Sequence, residues 1–79
     1  MKYTITPPWR IDETRDIDGV ILVLENADLT DERGRVHQDG AWRVKVDGKV
    51  RKTFKGETAW SDSLRLYGDV RYEILRKGL

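Results

Sequence analysis

Six bases and one acid fall between Arg43 and Lys55, a local net charge of +5. Within that stretch Arg43, Lys45, Arg51 and Lys52 are interleaved with Trp42, Val44, Val46, Val50 and Phe54. Cationic side chains spaced along an extended ribbon suit contact with phosphates, and a two-stranded ribbon fits a nucleic-acid groove. The competing reading is a solvated strand face whose charges pair with acids of the same molecule. A candidate for that pairing lies upstream. From Asp12 to Glu32 there are eight acids and one base, a net of −7. Asp28, Asp31 and Glu32, with Trp9, make a candidate protein-binding surface, since a tryptophan beside charged groups is a common interface anchor.

Other reactive types are sparse. His37 is the lone histidine, set in a polar stretch where it reads as a solvent-exposed residue. Catalysis would require a nucleophile or acid placed beside it. Ser61 and Ser63 carry no nucleophile-elbow motif around them. Asp16, Asp18 and Gly19 faintly resemble a calcium loop, but the ligand spacing and closing Glu are missing, and Asp18-Gly19 reads more simply as a turn. Phosphate-loop and dinucleotide fingerprints are absent. The expectation is a non-enzyme with no metal and no cofactor.

Composition sets the frame. The 79 residues are 37% charged yet sum to +1, so net charge conceals a dipolar chain. That length holds one small domain, residues 1–79. A hydrophobic fraction of 38% implies a modest core, and dimerisation would relieve that shortage. Without cysteine there are no disulfides, thiol nucleophiles or thiolate metal sites. The longest apolar run, Val20 to Leu24, is far short of the roughly twenty residues of a spanning helix. The first residues lack the apolar stretch of a signal peptide. These features lead us to expect a cytoplasmic protein with no membrane partner.

The elements that would position the charged groups follow from periodicity. Lys2 to Thr6 reads as a short edge strand ended by Pro7-Pro8. Trp9 to Ile17 places apolar residues at odd positions. Val20 to Leu24, apolar on both parities, reads as a central strand. Glu25 to Gly40 is the least regular stretch, with Thr30 placed to cap a helical turn that Gly34 would end and Val36 opening a short strand. Three Asp-Gly pairs, at 18–19, 39–40 and 47–48, are hairpin signals.

The 41–54 hairpin carries a parity conflict. A two-residue Asp47-Gly48 loop would set Trp42, Val44 and Val46 against Thr53, Arg51 and Lys49, and turn Val50 and Phe54 to the other face. A three-residue loop or a bulge restores one apolar face. Trp60, Leu64 and Tyr67 form one helical stripe, predicting a helix from Glu57 to Tyr67 with Gly68 as its C-terminal cap. Val70, Tyr72 and Ile74 then alternate as a last strand, with a frayed end from Arg76. The expected fold is α+β, an antiparallel sheet of about five strands with one helix packed across a face. Trp9, following two prolines, is expected to be the exposed tryptophan.

The run from Gly40 to Lys55, followed by a helix containing Ala59-Trp60, resembles the arm-type DNA-binding module of phage and mobile-element integrases. That family has a Trp-led strand, a Gly-Lys turn, a Lys-Thr-Phe-like second strand and a helix with an Ala-Trp pair. The resemblance covers about a third of the chain and implies that Arg43, Lys45, Arg51 and Lys52 touch DNA from a sheet laid in the major groove. The chain departs from the family in the strands and acidic segment before the hairpin and in the strand expected after the helix. As a whole it is similar to small accessory proteins of actinobacterial phages: short, cysteine-free, rich in Arg and Asp, with tryptophans in an α+β core. That likeness implies a non-catalytic module binding a host or defence protein in the host cytoplasm. Duplex DNA is the alternative partner, and a homodimer with an exposed sheet edge is a third reading.

Overall fold

A computed structural model describes residues 2–77. Its frame is a four-stranded antiparallel meander: β1 (Thr4–Ile17), β2 (Val20–Thr30), β3 (Ala41–Val46) and β4 (Lys49–Lys55), in the order β1-β2-β3-β4. One helix, α1 (Ala59–Lys77), follows and packs on the sheet. The class is α+β as expected, with four strands rather than about five. A fourteen-residue strand at roughly 3.3 Å per residue accounts for the long molecular axis of 46 Å.

Both tight hairpins are built by Asp-Gly. Asp18 and Gly19 have φ of 52° and 90°, and Asp47 and Gly48 have 50° and 81°. Two successive positive φ values define the turn whose twist matches that of paired strands, and Asp and Gly tolerate them best. The Asp47 turn is also tied to β2. Its backbone N–H donates to the Ile21 carbonyl at 2.8 Å, and its carboxylate accepts the Ile21 N–H at 2.9 Å. Asp39-Gly40, in contrast, makes no hairpin and instead leads the chain into β3.

The parity conflict in the 41–54 hairpin is resolved within the strand. The loop is the plain two-residue turn, with Val46 opposite Lys49 and Lys45 opposite Val50. The register then shifts, so that Val44 faces Lys52 and Trp42 faces Phe54. Arg51 is the extra residue of a bulge. Trp42, Val44, Val46 and Phe54 thereby share a face, whereas Val50, which precedes the bulge, stays on the other, so the single apolar face suggested by the pattern is restored only in part.

Three expectations about where elements begin and end fail. Pro7-Pro8 does not end a strand. β1 runs through it, with a cis Pro7–Pro8 peptide and a register shift that sets Pro7, Pro8 and Trp9 against Ala27 alone. β1 is an edge strand, so a proline's missing N–H breaks no inner ladder. Thr30 does not cap a helical turn either. It ends β2 and bridges to Val36, while the turn at Asp31 to Arg35 is closed by the Asp31 carboxylate accepting the N–H groups of Arg33 and Arg35, each at 2.9 Å. Finally, α1 begins at Ala59, continues through Gly68 and ends at Lys77, so that Val70 to Ile74 is helix and not strand.

The helix has its own logic. Its buried stripe is Ala59, Ser63, Tyr67, Val70 and Ile74, at steps of four, four, three and four. Of the expected stripe, Tyr67 is buried and Leu64 packs against the core, but Trp60 is 54% exposed and Ala59 takes its place. Tyr72 is 65% exposed. Asp62 in the first turn and Arg76 and Lys77 in the last complement the helix dipole. At Gly68 a Cβ would meet nothing within 4 Å. Gly68→Ala is therefore expected to stabilise the protein by about 0.5–1 kcal/mol, measured by urea denaturation. A loss of stability would point instead to the cap conformation that the sequence suggests.

The core lies between α1 and one sheet face. It comprises Ile17, Val20, Leu22, Leu24, Val44, Tyr67, Val70 and Ile74, with Trp42, Val46, Leu64 and Leu66 against it. Leu22 pairs with Val46 and Leu24 with Val44 across the strands, which places them on one face.

Candidate binding surfaces on the open sheet face and the β4 edge

The opposite sheet face carries the residues between these. Ile21, Val23, Glu25 and Ala27 alternate with the core residues of β2. Val23, Glu25 and Ala27 pair with Lys45, Arg43 and Ala41 of β3. β1 adds Ile11 opposite Glu25, and β4 adds Val50 opposite Lys45. The helix does not cover this face, and Ile11, Ile21 and Val50 are 65%, 39% and 47% exposed.

At its centre is a charge cluster. The Arg43 Nε donates to Glu25 Oε1 at 2.7 Å, and Lys45 Nζ lies 3.9 Å from the same oxygen. The side chains of Glu25, Arg43 and Lys45 are only 10%, 20% and 24% exposed. Trp9 stacks on the arginine: the Arg43 guanidinium carbon sits 4.0 Å from the centroid of its ring. The bulge at Pro7–Pro8 is what sets Trp9 in place, and Ala27, opposite it, has no side chain beyond Cβ. Trp9 is thus half-buried, and the exposed tryptophan is Trp60.

The sequence-derived site residues separate in space. Arg43 and Lys45 lie on the open face, engaged by Glu25. Lys52, opposite Val44, lies on the helix side with its ammonium 5.2 Å from the Phe54 ring centroid, and Arg51 sits in the bulge. Among the acids, Asp28 pairs with Arg10 at 3.0 Å, and that arginine also donates to Asn26. Asp31 is spent on its turn, and Glu32 is exposed. The acidic and basic stretches therefore meet at one seam, Glu25 with Arg43 and Lys45. Sequence reasoning missed Glu25, Ile11 and Ile21. The signal was Glu25 closing an apolar run, an acid in the middle of what proves a central strand.

Beyond the seam, charge is segregated to the edges. Lys49, Arg51, Lys52 and Lys55 on β4 are exposed, and among the described residues none forms an ion pair. β4 holds these four bases and no acid, whereas β1 with Asp18 holds four acids and two bases.

His37 is more covered than its polar neighbours suggest. Its side chain is 20% exposed, Tyr3 packs edge-on at 4.9 Å, and its Nδ1 accepts the Asp39 N–H at 3.1 Å. Ser63, fully buried, donates to the Trp60 carbonyl, and Ser61 donates to that of Thr58. Both serines lie on α1, and neither hydroxyl is bonded to His37. Asp16 accepts the Gly19 N–H at 2.8 Å, which makes it a turn cap. No group of three or more potential metal ligands gathers among the described residues. Among the described residues no helix is long and apolar enough to cross a membrane. Burial, reinforced by Glu13, pushes the Tyr67 phenol above its ordinary pKa. Comparison with family models, curated proteins and solved structures finds no match.

Proposed function

We propose that the protein is a non-catalytic binding module that engages a partner protein through the open face of its sheet. The observation that carries this reading is the exposure of Ile11, Ile21 and Val50 around the Trp9–Arg43 stack. Aliphatic side chains surrounding an aromatic and an arginine have the composition of an interface centre rather than of ordinary surface. The resemblance to phage accessory proteins makes a host or defence protein the partner and the host cytoplasm the compartment. Duplex DNA is the second reading, supported by the exposed cations of β4. It is disfavoured at Arg43 and Lys45, because a phosphate would have to displace Glu25 from both.

Photo-crosslinking amino acids at Ile11, Ile21 and Tyr72 test the reading in cells producing the protein. A discrete protein adduct is expected from Ile11 and Ile21, lost in the I11D/I21D variant, and none from Tyr72 on the outer side of α1. Adducts from Tyr72 alone, or none from any position, would overturn it.

A further inference from the structure

We infer that the β4 edge is a strand-addition site for an extended acidic segment of a partner protein, one that alternates acidic and aliphatic residues. The inference rests on the reading of the protein as a binding module but concerns the adjoining sheet edge, with Val50 common to both.

The two sheet edges are unequal. β1 is interrupted twice, by the Pro7–Pro8–Trp9 bulge and by a second register shift between Ile11 and Glu13. Prolines and bulges on an edge block further pairing. β4 has seven residues, no proline, and one shift, at Arg51, which leaves Lys52 to Lys55 as a regular run. As an edge strand it presents outward a row of N–H and C=O groups that the sheet does not use.

Side-chain alternation then specifies the occupant. On the helix side the edge shows Lys49, Lys52 and Phe54, opposite Val46, Val44 and Trp42. On the open side it shows Val50, Thr53 and Lys55, opposite Lys45, Arg43 and Ala41. An added strand places alternate side chains beside these two rows. Acidic residues complement Lys49 and Lys52, while aliphatic residues continue the exposed surface of Val50. The same cations repel the β4 edge of a second copy, so the edge selects an acidic strand over self-pairing. Main-chain bonds supply affinity without demanding a deep pocket, which suits a molecule only 15 Å thick.

The experiment uses the full chain, nitrogen-15 labelled, and the acetylated, amidated peptide (Glu-Val)4 at low salt. Saturable shifts and slowed exchange are expected at the Lys49–Lys55 amides. The charge-matched (Glu-Gly)4 peptide and a (Glu-Val)4 peptide N-methylated at every residue should bind at least about tenfold more weakly. K49E/K52E should lose the interaction, and I11D/I21D should keep it. That last variant separates this inference from the open-face reading, since each can fail while the other stands. Equal binding of (Glu-Gly)4 would mean diffuse charge attraction and overturn the inference. So would shifts centred on Ile11 and Ile21, no saturable shift, concentration-dependent dimerisation through β4, or saturation by duplex DNA but not by the peptide.

Discussion

Leu24→Ala is expected to remove about 3–5 kcal/mol of stability, the range for a leucine truncated in a core that relaxes only partly. Leu24 is fully buried on the central strand β2, against Val44 and beneath the helix residues Tyr67, Val70 and Ile74. A domain of this size has little to spare. Thermal unfolding followed by circular dichroism should show a midpoint lower by at least about 12 °C, taking about 4 °C per kcal/mol. Ile21→Ala is the informative companion. Ile21 is three residues away on the same strand but faces the open side and is 39% exposed. Its loss should cost under about 1 kcal/mol. An equal cost at both positions would mean that a second layer covers the open face in solution, and would make a self-associated form the species to consider.

The contrast between those two leucine-like positions was not readable from the sequence. Val20 to Leu24 is apolar on both parities, which predicts a strand covered on both sides. The strand is central, but only one of its faces is covered by a helix. Local chemistry was legible where the cause is local. Asp18-Gly19 and Asp47-Gly48 form the turns their types demand, and the parity of Trp42 against Phe54 called for a three-residue loop or a bulge, of which the structure has the bulge, at Arg51. Expectations failed where the deciding partner is distant. Val70 and Ile74 satisfy both a two-residue alternation and a four-residue helical step. The choice rests on Tyr67 and Ile74 meeting the same sheet face, which only packing settles. Pro7-Pro8 stops an inner strand but not an edge; the edge position was legible, while the bulge that carries β1 past the prolines depends on its pairing with β2. Trp9 looked exposed because its cover, Arg43, is thirty-four positions away.

Glu25→Ala should prove nearly as costly as the core truncation, at about 2–4 kcal/mol, because it leaves Arg43 and Lys45 without their carboxylate. The value is set below that of a fully buried pair because both cations keep some solvent contact, at 20% and 24% of their side-chain surfaces. A double-mutant cycle with Arg43→Ala isolates the pair, and a coupling of about 1–3 kcal/mol is expected from chemical denaturation. High salt should change that coupling little, since neither charge is fully solvated. Leucine at both positions should recover much of the loss, because two apolar groups need no partner. The cycle also bears on function. A coupling under about 0.5 kcal/mol is the value of a surface pair. It would mean that Glu25 does not hold the arginine, that Arg43 and Lys45 are free to meet phosphate, and that the argument against DNA at those two residues fails. A strong coupling would commit those cations to the fold and leave Lys49, Arg51, Lys52 and Lys55 as the hairpin charges available to a partner.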